Sequence, residues 1–209
     1  RFEPLAVGQQ HYSASEDLWL LRGWLAHVPA SLAANADAVL AASGQADVLW
    51  VFAPAPAAPA ALLTQRWRLI AQLDRFGRTQ RYEYADGTGQ QQDSPQGHLI
   101  ALTDGVGRRY RLHYQRLHRG KPAQGLLQAD DGWRLQGVDL IHDPVGSGAL
   151  PLNLVRYGYS AAGHLPSAHD RAGVLAREFE VEHHRITSHR QPGGPWPCYR
   201  YASAPPGAN

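Results

Sequence analysis

Two stretches of this chain align with each other without a gap. Residues 68–84 read RLIAQLDRFGRTQRYEY and residues 98–114 read HLIALTDGVGRRYRLHY. Leu69-Ile70-Ala71 falls on Leu99-Ile100-Ala101, Asp74 on Asp104, Gly77 on Gly107 and Tyr84 on Tyr114. A third copy starts at His164 (HLPSAHDRAGVLAREFEV) and places Asp170 and Gly173 on the same template. A fourth, from Arg185 (RITSHRQPGGPWPCYRY), keeps the glycines and the Tyr199-Arg200-Tyr201 ending but has Arg190 in the aspartate position. Self-similarity on this scale restricts the fold to architectures in which small units stack on their neighbours.

Each unit reads as a hairpin. A short alternating strand runs into D-x-x-G, where aspartate accepts hydrogen bonds from backbone amides ahead of it and glycine takes the positive φ that the turn needs. A second strand returns and ends in R-Y-x-Y. Alternation puts Tyr82 and Tyr84 on one face and Arg81 and Glu83 on the other. One hairpin cannot bury an apolar face alone, so the units are expected to pair edge to edge into a long antiparallel sheet that must curl. The predicted fold is all-β, with at most a short helix near 31–42. There SLAANADAVLAA is alanine-rich, Ser31 is placed to cap it and Gly44 follows it. Residues 1–63 read as an irregular, β-rich N-terminal part in which Val48 to Phe52 is a buried strand, and 64–209 as the repeat segment. Such a run leaves open sheet edges, and residues 185–209 are expected to be its least ordered part in isolation.

These residues resemble YD repeats, whose pattern is roughly G-x-L-x-x-x-x-D-x-x-G-x-x-x-x-Y-x-Y. The joint Tyr159-Ser160-Ala161-Ala162-Gly163-His164-Leu165, followed by Asp170 and Gly173, fits that pattern. The wording WLLRG, LVRYGYSAAG and AREFE is similar to the Rhs proteins of Gram-negative bacteria. The resemblance covers about 68–201 clearly, and it rests on fewer residues before that. It implies a segment of a shell, similar to toxin-complex cocoons and teneurin shells, in which the repeats wind as a spiralling sheet around a C-terminal toxin delivered by type VI secretion. The partners it implies are the remaining shell repeats, the enclosed toxin, a secretion spike protein and a chaperone. It also implies residence in the bacterial cytoplasm before export and delivery to a target cell. The repeat anchors it assigns are Asp74, Gly77, Tyr82, Tyr84, Asp104, Gly107, Tyr114, Tyr157, Tyr159, Gly163, Asp170, Gly173, Tyr199 and Tyr201. Rhs shells end in a D-P-x-G motif beside a self-cleaving pair of carboxylates. Here Asp143-Pro144-Val145-Gly146 is followed by more repeat, and it reads as a turn.

Composition narrows the function from the other side. The formal net charge is +2, without the clustered basic excess of a nucleic-acid or membrane-surface binder. Lys121 is the only lysine, and the many arginines suit fixed pairing with carboxylates. Cys198 is the only cysteine, so no internal disulfide forms, and it is expected to be buried or half-buried. No run approaches the ~20 apolar residues that span a bilayer. The chain starts at Arg1 and has no methionine, so a part of something longer is expected. His164, His169, His183, His184 and His189 would need several strands to converge on a metal, and Gly105-Val106-Gly107 is a turn, not a dinucleotide fingerprint. No P-loop, G-x-S-x-G or H-E-x-x-H is present. The expectation is a structural encapsulation segment that is not an enzyme and needs no cofactor. The alternative is a carbohydrate- or cell-surface-binding module in which Trp24, Trp133 or Trp196 stacks on sugar rings.

Overall fold

Among the described residues, alternating apolar and polar residues between glycine turns produce thirteen strands that follow one another through one sheet in chain order, every described pairing being antiparallel. The computed structural model describes residues 5–23, 25, 28–29, 32, 38–43, 47–55, 67–86, 96–117, 132–183 and 185–201. The strands are β1 Gln10–Ser13, β2 Leu18–Arg22, β3 Val39–Ser43, β4 Val48–Pro54, β5 Trp67–Asp74, β6 Thr79–Tyr84 and β7 Leu99–Thr103. They continue with β8 Arg109–Arg116, β9 Trp133–His142, β10 Leu152–Gly158, β11 Ser167–Asp170, β12 Leu175–Glu182 and β13 Arg185–Arg190. The chain is all-β. The helix allowed near 31–42 does not reach the end of that span, because Val39–Ser43 is β3; Ser31 and 33–37 lie outside the described residues. Alanine is a strong helix former, but propensity yields to tertiary context, and Leu21 and Val51 on the flanking strands give Leu40 a place in a buried ladder.

Two compact units emerge, one of residues 1–111 with 141–148 and one of 112–140 with 149–209. In the first, a row of apolar side chains crosses four strands in register: Leu21 opposite Leu40, Leu40 opposite Val51, Val51 opposite Ala71. Val28 and Leu32, from the link between β2 and β3, lie over this row with Ala38 and Leu73 and complete a buried core. Burial of such side chains contributes about 1.5–3 kcal/mol each. The second unit is built differently. Among the described residues its one buried hydrophobic is Leu140, and its other buried side chains are Asp139 and Ser188. Cross-strand pairs and polar ties therefore hold it more than an apolar core does.

Beyond β13 the chain turns at Pro192-Gly193-Gly194 and comes back along the strand. Tyr199 N–H donates to Thr187 C=O at 2.7 Å, His189 N–H donates to Pro197 C=O at 3.3 Å, and Ser188 bridges Cys198. This part of β13 is covered by its own chain, whereas the sequence suggested an open edge. Gly193 supplies the left-handed residue of the reversal at φ 74°.

Candidate functional site

The D-x-x-G turns are built alike. Asp74 N–H donates to Arg78 C=O at 3.1 Å, and Gly77 N–H donates to Asp74 C=O at 3.0 Å. With Gly77 at φ 81°, this is a three-residue hairpin loop closed by a G1 bulge. The Asp74 side chain fastens it: Oδ1 accepts from Phe76 N–H at 2.9 Å and from Arg78 N–H at 3.0 Å, and Oδ2 accepts from Arg78 Nε at 2.6 Å. Asp104 repeats every one of these bonds with Val106, Gly107 and Arg108, and gains the Tyr110 hydroxyl at 3.0 Å. Asp170 repeats the backbone part with Ala172, Gly173 and Val174. Partial burial pushes the Asp74 and Asp104 carboxyls up, but the arginine and backbone donors outweigh it and hold both below the usual aspartate value.

Ser160 builds the same loop without an aspartate. Its N–H donates to His164 C=O, it receives the Gly163 N–H, both at 2.9 Å, and its hydroxyl accepts from His164 N–H at 3.2 Å. In the fourth copy the sequence places Arg190 in the aspartate position, and that placement is off by one. With Arg185 on Arg68 and Tyr201 on Tyr84, Gln191 takes the aspartate position and receives Gly194 N–H at 2.9 Å as Asp74 receives Gly77 N–H, while the neighbouring Arg190 pairs with Glu178 at 2.6 Å.

The tyrosines tie strands together by their hydroxyls. Tyr84 donates to Leu69 C=O at 2.8 Å, Tyr159 to Leu135 C=O at 2.8 Å and Tyr201 to Ile186 C=O at 2.6 Å. Each accepting residue follows an arginine. Arg68 lies over the Tyr84 ring and Arg185 over the Tyr201 ring, both 5.3 Å from the centroid, and Arg134 lies close enough to Tyr159 for its charge to be felt there. A glycine closes two of these clamps. A Cβ on Gly97 would stand 2.9 Å from Arg68 Nη2, and one on Gly163 would stand 2.9 Å from Arg134 Nη2. Gly97 N–H donates to Ala85 C=O and Ala85 N–H to His98 C=O, as Gly163 N–H does to Ser160 C=O and Ser160 N–H to His164 C=O ahead of β11. These arginines escape a reading that looks for carboxylate partners. Their signal is position: Arg68-Leu69, Arg134-Leu135 and Arg185-Ile186 each stand just before the carbonyl that a later tyrosine takes.

The remaining anchors are spread along the sheet and meet at no common point. Tyr82 donates towards Gln80 Oε1 at 3.0 Å, Tyr114 is half-buried on β8, and Tyr157 pairs with Ala168 across β10 and β11. The Tyr199 hydroxyl shares a 2.7 Å hydrogen bond with His189 Nδ1, and the two rings stack.

One polar cluster stands apart. Asp139 on β9 is 8% exposed. Its Oδ2 is 2.8 Å from His113 Nε2, and its Oδ1 accepts from Asn153 Nδ2 at 2.8 Å and faces an Arg156 nitrogen at 3.4 Å. Burial raises its pKa, but Asn153, His113 and Arg156 prevail and hold the carboxyl below its usual value. The neighbours are a guanidinium, an imidazole and an amide, with no second carboxyl among them, so the cluster holds a carboxylate ionised and does not share a proton between two acids.

Asp143 takes part in the turn expected of it: Oδ1 accepts from Val145 N–H at 3.1 Å. Among the described residues no group of His, Cys, Asp or Glu is arranged to hold a metal ion; His184 lies outside them. Trp24 also lies outside them, while Arg116 lies over Trp133 at 5.9 Å and Arg190 over Trp196 at 4.1 Å. Cys198 is exposed, not buried: it lies in the return segment where it bridges Ser188, and its Sγ is 3.6 Å from Trp196 C=O. No helix among the described residues is long and apolar enough to cross a membrane.

No family model matches the chain. A curated relative does. The chain is similar to the toxin protein Tse5 of Pseudomonas aeruginosa. The two are 34% identical over 213 aligned residues, which take in 92% of this chain and 14% of Tse5. The chain thus spans a small part of Tse5, and the likeness runs through nearly all of its own length.

Proposed function

We propose that this chain is a wall segment of an Rhs-type shell that encloses a C-terminal toxin and serves its delivery by type VI secretion. On this reading 64–209 is the YD-repeat segment, and the fourteen anchors assigned from the sequence are its structural joints. The chain has no catalytic role of its own. Its partners are neighbouring repeats and the enclosed toxin, with a spike protein and a chaperone at delivery, and it passes from the bacterial cytoplasm to the target cell. The observation that carries the reading is the recurrence of one joint, arginine over tyrosine with the tyrosine hydroxyl on the next carbonyl, at Tyr84 and Tyr201. A joint that recurs along a sheet builds a surface, where a catalytic site would gather its groups once. Similarity to a toxin protein supports the toxin-delivery setting.

The test is limited proteolysis of the longer protein that contains this sequence. Its C-terminal region should survive protease while the wall is intact and be digested once the wall is opened by Gly163→Val with Tyr84→Ala. A C-terminal region cut equally fast in both forms would overturn the proposal. Sugar stacking has less support, since an arginine already occupies one face of Trp133 and of Trp196.

A further inference from the structure

We infer that Arg185, Ile186, Tyr199 and Tyr201 form an acceptor site for a β-segment of the form Gly-X-Leu, led by a glycine of positive φ. The inference rests on the wall reading and goes beyond it by stating the chemistry of the segment that the wall takes on here. In the first clamp Arg68 lies over Tyr84, and the guanidinium is met on another side by Gly97 of Gly97-His98-Leu99. In the second, Arg134 stands beside Tyr159 and donates from Nε to Gly163 C=O at 3.3 Å, Gly163 leading Gly163-His164-Leu165. Both glycines are left-handed, at φ 84° and 83°. A Cβ at either would stand 2.9 Å from a guanidinium nitrogen and push the arginine off its place, so the site selects glycine by backbone conformation, and any other residue there displaces the arginine.

The third clamp repeats the arginine and the tyrosine with the same spacing as the first, 16 residues from Arg68 to Tyr84 and 16 from Arg185 to Tyr201. It also repeats the 5.3 Å stack and the hydroxyl bond to the residue after the arginine. Its burial differs. Arg68, Leu69, Tyr84, Arg134, Leu135 and Tyr159 are half-buried, whereas Arg185 is exposed and Ile186, Tyr199 and Tyr201 are 42%, 44% and 49% exposed. A shallow depression lies there, with Phe179, His189 and Tyr199 stacked along it. The geometry that binds a glycine-led strand is thus assembled, with its apolar and aromatic faces in solvent. Exposed apolar surface of this kind marks a place that another element covers, and the two filled copies say which element: a left-handed glycine against the guanidinium, then an apolar residue two positions on.

The test uses the 209-residue chain and a synthetic peptide with the sequence of residues 160–170, SAAGHLPSAHD, followed by backbone amide NMR. Saturable shifts confined to 185–201 are expected. Replacing the peptide's glycine by valine should abolish them, and Arg185→Ala in the chain should weaken binding at least about tenfold. Tyr201→Phe, which keeps the ring, separates loss of the clamp from loss of fold. No saturation at millimolar peptide, or equal binding of the valine peptide, would overturn the inference. So would self-association of the chain through these residues, broken by Arg185→Glu, since a second copy would then be the occupant. The proteolysis of the longer protein is independent. Peptide failure with the toxin region still protected removes only the acceptor site, and loss of protection with peptide binding intact removes only the shell.

Discussion

The Tyr84 hydroxyl donates to the Leu69 carbonyl at 2.8 Å, fastening the end of one hairpin to the start of its own first strand. The bond is made from a half-buried ring, and burial raises the Tyr84 pKa, so it stays a neutral donor through the physiological range. Tyr84→Phe should lower stability by about 1 kcal/mol, the net worth of one such bond. Tyr84→Ala should cost about 2 kcal/mol or more, because the ring that lies under Arg68 goes as well. Urea unfolding of the three proteins checks both values. Equal stability of the Phe variant and the parent would mean that the hydroxyl bond contributes nothing net.

Glycines of equal φ should differ in cost. Gly77 at φ 81° has open space where a Cβ would stand, so Gly77→Ala should cost about 1 kcal/mol from backbone strain alone. Gly163 at φ 83° has Arg134 Nη2 at 2.9 Å, so Gly163→Ala should cost about 1 kcal/mol more by displacing that guanidinium. The excess should vanish when Arg134→Ala is the starting background. A double-mutant cycle by denaturant unfolding measures the difference.

Acid should weaken the second unit through Asp139. Its folded pKa lies below the usual aspartate value, so the carboxylate contributes stability that is fully present above that usual value. The contribution is lost as pH falls through the lower folded value. Stability measured from pH 6 to pH 2 should therefore decline below about pH 4, and Asp139→Asn should flatten the decline while costing about 1–3 kcal/mol at neutral pH. Asp74 and Asp104 carry shifts of the same sign, so some acid sensitivity should survive in the variant.

Cys198 should react with a thiol reagent in the folded chain, without denaturant, to one equivalent. Cys198→Ser should change stability by no more than about 0.5 kcal/mol, as befits an exposed side chain. Slow labelling that speeds up only on unfolding would show the return segment 197–199 to be packed more closely than its exposure indicates.

The sequence alone determined the hairpin unit and its turns. Aspartate and glycine act on amides within four residues, so D-x-x-G states its own bond pattern at Asp74, Asp104 and Asp170 without help from the rest of the chain. Period-two alternation likewise specified strands over most of the described residues between 67 and 190. Tertiary structure decided what depends on neighbours distant in sequence. Val39–Ser43 became a strand because its apolar side chains found a ladder between β2 and β4, which outweighed the helical preference of its alanines. Arg68, Arg134 and Arg185 became clamps because tyrosines 16, 25 and 16 residues onward return beside them, a spacing that varies with loop length and so leaves no fixed motif. Asp139 became a buried carboxylate because β8 and β10 bring His113, Asn153 and Arg156 to it. A local bond is written in a local pattern, whereas a cross-strand contact depends on register, which the assembled sheet sets.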